Sequence, residues 1–366
     1  MKIVSLRDNL LKPLQQVGGV VERRQTLPIL ANVLIHAGNG EISITATDLE
    51  VEMKTVSSVE CDEIFDFTLP ARKLLDICRA LPEESTIHLE VKGEKALLKS
   101  GRSRFTLGIL PAQDYPSIEP TASSHRFSFP QNELKRLIDK THFAMAQQDV
   151  RYYLNGMLIE VKQGIVRTVA TDGHRLALSE VDCQIDSDIE LQVILPRKAV
   201  IELSRLLTDS DESVDIDVSS NHIRIKMADT TFTSKLIDGK FPDYKRVIPS
   251  STDKEVIADK DELRQALQRT SILSNEKYRG IRFQFNTGNL QLMAHNPEQE
   301  EAEEEMEISY EGEQLVIGFN VGYLMEVLSA IEGDKVKLLL SDASSSCLIQ
   351  NVDNQSSNYV IMPMRL

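Results

Sequence analysis

Apolar residues recur three and four positions apart in six places along this chain, and each recurrence marks a helix with one buried stripe. The first stripe is Leu10, Leu11, Leu14 and Val17, the second Leu74, Leu75 and Ile77, the third Leu134, Leu137 and Ile138. Val200, Ile201 and Leu203 form the fourth, Leu263, Ala266 and Leu267 the fifth, and Leu324, Val327 and Leu328 the sixth. Polar or acidic residues stand at the start of every other helix (Ser5 and Asp8, Gln131 and Asn132, Asp259 and Asp261), where unpaired backbone N–H groups need acceptors. The remaining helices follow Leu69-Pro70, Leu195-Pro196 and Phe319-Asn320, and proline is tolerated there because a first-turn N–H has no helical partner. Between helices the pattern changes to strict alternation, as in Ile87, Leu89 and Val91 or Val214, Ile216 and Val218, which predicts strands. Asn39-Gly40, Gln163-Gly164 and Gly288-Asn289 are expected to turn the hairpins, because such pairs accept positive φ.

This order of elements occurs three times. Ala46-Thr47-Asp48 returns as Ala170-Thr171-Asp172 and, altered, as Ala294-His295-Asn296, at two intervals of 124 residues. Gly40, Gly164 and Gly288 keep the same spacing. The segment from Phe105-Thr106-Leu107 to Asp114-Tyr115-Pro116 matches that from Phe232-Thr233-Ser234 to Pro242-Asp243-Tyr244. A period above about 100 residues is a whole domain rather than a solenoid unit. The expected fold is therefore α+β, with domains at residues 1–125, 126–253 and 254–366 divided in polar stretches near Ser124 and Asp253. Each should hold two helices packed on antiparallel sheets of about eight strands.

Charge changes the picture. A net charge of −15 argues at first against nucleic acid. Yet the six helical spans (5–17, 70–80, 130–142, 196–207, 259–273 and 320–331) hold 14 Lys and Arg against 9 Asp and Glu. An acidic body with basic helices suits a protein whose helices alone face DNA, although Lys and Arg also favour helices intrinsically. The span 320–331 departs from this, since Glu326 is its only charge. Cys61, Cys78, Cys183 and Cys347 are scattered without paired spacing, as in reduced cytoplasmic proteins. No apolar run is long enough to span a membrane, and residues 1–11 contain no signal-peptide core, so a cytoplasmic location and no membrane partner are expected.

Chemistry is sparse. Lys99-Ser100-Gly101-Arg102 lacks the spacing of a phosphate loop, no metal-ligand spacing occurs, and neither a catalytic group nor a cofactor is expected. An enzyme built on Asp48, Asp172 and His174 is one alternative, but Asn296 replaces the aspartate in the third copy, which suits a repeated turn hydrogen bond better. A repeat scaffold that binds only proteins is another. The acidic run Glu298, Glu300, Glu301, Glu303, Glu304 and Glu305 has the wrong register for a calcium loop. Arg102 and Arg104 lie at the other end of the chain, and opposite charges on terminal domains invite head-to-tail pairing of two copies.

Seven segments carry a family resemblance: Leu11-Lys12-Pro13-Leu14-Gln15-Gln16-Val17, Thr26-Leu27-Pro28-Ile29-Leu30, Pro70-Ala71-Arg72-Lys73, Gln148-Asp149-Val150-Arg151-Tyr152-Tyr153-Leu154-Asn155-Gly156, Ala170-Thr171-Asp172-Gly173-His174-Arg175-Leu176, Ser274-Asn275-Glu276-Lys277 and Met362-Pro363-Met364-Arg365-Leu366. In this order, and with threefold repetition, the chain resembles the bacterial sliding clamps, the beta subunits of DNA polymerase III, over its whole length. The resemblance implies a homodimeric ring of six DNA-clamp domains, helices inside and sheets outside, that encircles duplex DNA without reading its sequence and tethers the replicative polymerase.

It further implies site residues. The dimer interface would join Lys73, Arg102, Arg104, Phe105 and Leu107 of one subunit to Ile272, Leu273, Glu298, Glu300, Glu301, Glu303 and Glu304 of the other. A partner-peptide pocket would comprise Leu154, Thr171, Gly173, His174, Arg175, Leu176, Pro242, Arg246, Val247, Val360, Met362, Pro363, Met364 and Arg365. Adaptable Met side chains beside Arg suit several short hydrophobic motifs: those of the polymerase alpha subunit, of an ATP-dependent clamp loader, and of other polymerases and repair proteins. DNA contacts would come from Arg24, Arg72, Gln148, Tyr152, Tyr153, Arg197 and Lys198.

Overall fold

The computed structural model describes residues 1–21, 27–61, 63–118, 122–183, 185 and 188–365. The element order runs three times through the chain. The first copy is β1 (Lys2–Leu6), α1 (Arg7–Val17), β2 (Asn32–Gly38), β3 (Glu41–Thr47), β4 (Val51–Ser58), β5 (Phe65–Pro70), α2 (Ala71–Ala80), β6 (Thr86–Lys92), β7 (Lys95–Ser100) and β8 (Ser103–Gly108). The second is β9 (His125–Pro130), α3 (Gln131–Asp139), β10 (Gly156–Lys162), β11 (Ile165–Thr171), β12 (Arg175–Asp182), β13 (Leu191–Pro196), α4 (Arg197–Leu206), β14 (Ser213–Val218), β15 (His222–Met227) and β16 (Thr230–Lys235). The third is β17 (Lys254–Asp259), α5 (Lys260–Thr270), β18 (Gly280–Asn286), β19 (Asn289–His295), β20 (Glu301–Glu307), β21 (Leu315–Asn320), α6 (Val321–Ala330), β22 (Lys335–Leu340), β23 (Cys347–Asn351) and β24 (Ser357–Ile361).

These elements condense into two compact units, Met1–Asn132 with Ile201–Leu236 and Glu133–Val200 with Ile237–Leu366. In the first, one sheet has the order β5-β2-β3-β4-β16-β15-β14-β9 and a smaller one the order β1-β6-β7-β8. α1 lies against β3, β4 and α2, and buries Leu10, Leu14 and Val17 with Ile42, Ile44 and Met53. In the second, the sheets run β13-β10-β11-β12-β24-β23-β22-β17 and β20-β19-β18-β21. α5 lies against β19 and β20, α6 against β21 and β24. The core there includes Phe283, packed edge-on against Phe319 with ring centroids 5.4 Å apart. Burying one such side chain contributes about 1.5–3 kcal/mol.

Two hairpins turn as expected: Asn39 and Gly40 have φ of 54° and 79°, Gln163 and Gly164 54° and 76°. The third differs by one residue. Thr287 and Gly288 make that turn, while Asn289 opens β19 opposite Asn286. Gly288 (φ 72°) thus takes the same second turn position as Gly40 and Gly164. Helix starts also split. Asp259 caps α5 by accepting the Glu262 N–H, whereas α1 begins without a side-chain cap, because apolar Leu6 holds the capping position and Ser5, one residue earlier, donates its hydroxyl to the Leu6 carbonyl.

The repeated tripeptide closes a turn. Asp48 accepts the N–H groups of Glu50 (2.9 Å) and Val51 (2.7 Å), and Asp172 those of His174 (2.9 Å) and Arg175 (3.0 Å). Asn296 accepts the Glu300 N–H at 2.9 Å, so an amide oxygen does the same work in the third copy. Each side chain fastens the end of one strand to the start of the next.

Candidate partner-binding patch and subunit edges

Within the second unit, β10 to β13 and β24 present one apolar face. Alternation along β12 puts Leu176 and Leu178 on it, and Val360 of β24 stands directly opposite Leu176. Leu158, Val169, Ile194 and Leu348 complete the floor, Phe241 and Tyr244 pack onto it, and half-buried Tyr153, Ile237, Val247, Ile248 and Leu339 surround it. Tyr244 donates its hydroxyl to Glu160 at 2.7 Å, and Glu160 also accepts from Arg167 (3.2 Å) and from Gln192. Burial alone would raise the Glu160 carboxyl, but these three donors outweigh it and hold it below the usual range. Burial and the adjacent carboxylate push the Tyr244 phenol upward.

The structure divides the residues expected to form the pocket. Leu154, Leu176 and Val360 are buried, Val247 and Pro363 half-buried, and Pro242 and Met362 exposed. Met362 donates its N–H to the carbonyl of exposed His174 at 2.9 Å, which ties the tail to the start of β12. Thr171 is held in its turn, where its hydroxyl accepts the Gly173 N–H, and Gly173 (φ 89°) could not carry a side chain without meeting Arg151. Arg246 is exposed and paired with Asp243 at 2.8 Å.

Three expected pocket residues point elsewhere. Arg175 lies on the opposite face of β12 from Leu176, buried against the rings of Phe143 and Tyr323 and bonded to Asp172, Glu326 and the Phe143 carbonyl. Met364 crosses to β21, where its N–H reaches the Gly318 carbonyl at 2.8 Å, and with Arg365 it lines a separate cavity on the third copy. Leu158, Leu178, Ile194, Phe241 and Tyr244 form the buried core beneath the expected pocket and are not among its expected residues. Their alternation was visible, but only the pairing of β12 with β24 shows that they share a face with the tail.

The edges are equally specific. Among the described residues, β8 and β20 each end a four-stranded sheet with one side unpaired. On β8 Phe105 is half-buried and Leu107 buried, while Lys73, Arg102 and Arg104 are exposed. Ile272 is 77% exposed, unusual for an isoleucine, and Leu273 beside it is half-buried. Glu298, Glu301 and Glu303 are exposed, and Glu300 holds Asn296. Glu304 differs, since Arg269 of the same chain grips both its oxygens. Among the expected DNA contacts, Arg24 lies outside the described residues. Arg72, Gln148 and Tyr152 are exposed and Lys198 is half-buried. Tyr153 packs on the apolar patch, and Arg197 donates to the Met145 carbonyl at 3.0 Å.

Three models of the DNA polymerase III beta subunit match in succession: its N-terminal domain over residues 1–119, its central domain over 128–243 and its C-terminal domain over 245–365. The chain belongs to the DNA polymerase III beta subunit family. It is 56% identical to the beta sliding clamp of Pseudomonas aeruginosa over 361 residues, 98% of each chain. It is 49% identical to that of Escherichia coli over 370 residues, all of both. A solved sliding clamp of Pseudomonas aeruginosa bound to griselimycin superposes with a TM-score of 0.97 at 55% identity, and one from Bartonella birtlesii, also bound to griselimycin, with 0.97 at 39%, each over the whole of both chains. Fold class and role follow with the family: an α+β chain of three clamp domains that serves as a DNA sliding clamp.

Proposed function

We propose that two copies of this chain close head to tail around duplex DNA, with domains at residues 1–125, 126–253 and 254–366, and that the ring carries polymerases along DNA without chemistry of its own. The observation that carries this reading is the repeated way in which strands join. β4 pairs with β16 through Met53 opposite Phe232, and β12 pairs with β24 through Ala177 opposite Tyr359. β20 is the third-copy counterpart of β4 and β12, as Ala46, Ala170 and Ala294 pair with Met53, Ala177 and Ala302. β8 is the first-copy counterpart of β16 and β24. The same rule therefore sets Ala302 opposite the partner subunit's Phe105.

This register has electrostatic consequences. It sets Glu303 opposite the partner subunit's Arg104 and Glu305 opposite the partner subunit's Arg102, two cross-strand ion pairs on one face. Each contributes roughly 0.2–1 kcal/mol. Glu305 thus replaces Glu304, which Arg269 already holds. Exposed Ile272 gains apolar cover at the same joint.

Basic helices facing the duplex supply a sequence-independent phosphate attraction, and Arg72, Gln148, Tyr152 and Lys198 are the contacts we favour. Topological enclosure makes weak contacts sufficient. The apolar patch on β10 to β13 and β24 receives one hydrophobic peptide motif at a time, from the polymerase alpha subunit, the ATP-driven loader that opens the ring, or repair polymerases. The site of action is bacterial DNA in the cytoplasm, and among the described residues no helix is long and apolar enough to cross a membrane. Retention on circular but not linearised DNA, in salt that strips simple electrostatic binding, is the test. Equal loss from both forms would refute enclosure.

A further inference from the structure

The turn that carries the tail is tied to a helix on the other side of its sheet. Asp172 gives one carboxylate oxygen to the N–H groups of His174 and Arg175, at 2.9 and 3.0 Å, and the other to the Arg175 guanidinium, at 3.1 Å. The remaining guanidinium nitrogens reach the Phe143 carbonyl, at 2.8 Å, and the Glu326 carboxylate on α6. Tyr323 of the same helix lies against that guanidinium, with its ring centroid 4.4 Å away. A buried, planar fork with three separate acceptors acts as a rigid strut. It runs from α6, through Asp172, to the His174 carbonyl that accepts the Met362 N–H.

The repeat shows what is particular to the second copy. Strand register puts Val51 and Glu300 at the place of Arg175 in the other two. The link between strands does not itself need an arginine, since Lys235 donates its N–H to the Glu50 carbonyl, at 2.8 Å, as Met362 does to His174. What Arg175 adds is the connection to α6. The second helix of every copy has an acid at the same position, Asp76, Glu202 and Glu326. Glu202 turns back to Arg205 of its own helix, at 2.8 Å, whereas Glu326 reaches out to β12. Glu326 is the only charge on α6, its side chain is 49% exposed, and it lies on the opposite side of the sheet from Leu176 and Val360.

We propose that Glu326 is a positioning residue for the apolar patch: through Arg175 it fixes the turn from Thr171 to Arg175, and the tail bonded to it, in the arrangement that a hydrophobic partner segment meets. This rests on the reading of the patch as the polymerase-docking site. Seating of α6 and readiness of the patch are then one event, although the two lie on opposite sides of the sheet.

The probe is the purified replicative polymerase alpha subunit, bound to the full-length chain and followed by surface plasmon resonance. Glu326→Ala should weaken binding about threefold to tenfold, the range of a coupling transmitted through neighbouring side chains. Glu326→Gln, which keeps an acceptor oxygen, should recover most of the loss. Amide hydrogen exchange reads the turn directly. In Glu326→Ala the N–H groups of His174 and Arg175 should exchange faster, while those of Glu50 and Val51, bonded in the same way to Asp48, should not change. Val247→Glu, a change in the patch itself, keeps this proposal apart from the docking reading. If that variant binds the polymerase undiminished, the docking reading falls and the proposal with it. If it loses binding while Glu326→Ala keeps it, or if His174 and Arg175 exchange at their original rates in Glu326→Ala, the positioning role alone is overturned.

Discussion

Arg269 and Glu304 face each other across α5 and β20, and the guanidinium holds both carboxylate oxygens, at 2.6 and 2.9 Å. That bidentate grip keeps the Glu304 carboxyl below its ordinary range and occupies it within its own chain. In the proposed register the acids that face a second subunit are its neighbours Glu303 and Glu305. Arg104→Glu should therefore weaken the dimer, and adding Glu303→Arg to the same chain should restore it. Sedimentation equilibrium of the single and double variants is the check. A double variant no better than Arg104→Glu would show the register to be wrong.

Ile272 is too exposed in the single chain to be holding the fold, so it can be altered without opening the core. Ile272→Ala with Leu273→Ala should give folded monomers. Light scattering should report half the mass while circular dichroism is unchanged. A persistent dimer at micromolar concentration would remove these residues from the joint.

The tail has a different duty. Removing residues 362–366 leaves β24 and the Leu176–Val360 pairing in place but deletes Met362 and its link to His174. Binding of a polymerase-derived hydrophobic peptide should fall by about a hundredfold or more, the order expected when a central apolar anchor is truncated, while the dimer stays intact. Val247→Glu, at a half-buried site, should act in the same direction.

Acid sensitivity should centre on Glu160. Its carboxyl is held below the usual range, so its contribution is fully present above the unfolded-state pKa of about 4.3 and is lost as pH falls through the lower folded value. Glu160→Gln should lower stability at neutral pH by about 1–3 kcal/mol, as expected for a charged hydrogen-bond acceptor removed from its donors. The variant should also show a shallower fall in Tm below pH 4.3 or so. Parallel acid profiles for the two proteins would mean that Glu160 is not the group responsible.

Much of this was legible in the sequence because the elements are locally encoded. The six helices announced themselves by apolar spacing, and Asn39-Gly40 and Gln163-Gly164 by their tolerance of positive φ. The third hairpin slipped by one residue because Gly288 and Asn289 suit a turn equally well, and only strand register places Gly288 second. The patch was legible in part. Leu176 and Val360 lie together on one face, whereas Arg175, adjacent in sequence, is put on the other face by strand alternation. Met364 and Arg365 were grouped with Met362 by adjacency. An extended chain covers more than 3 Å per residue, enough for two residues to carry the tail from one site to another. Glu304 could not be set apart from its acidic neighbours, because Arg269 is 35 positions away.

Ala177 and Tyr359 are paired strand to strand although most of the second half of the chain separates them. β24 is not an ornament at the rim of its sheet: it lies between β12 and β23, in the interior of the strand order. During synthesis, β10 to β13 must then wait with the backbone of β12 uncovered until β24 emerges from the ribosome. A bare strand edge of that length is a template for wrong pairing. This clamp should depend on protection while it is being made, long before any DNA passes through it.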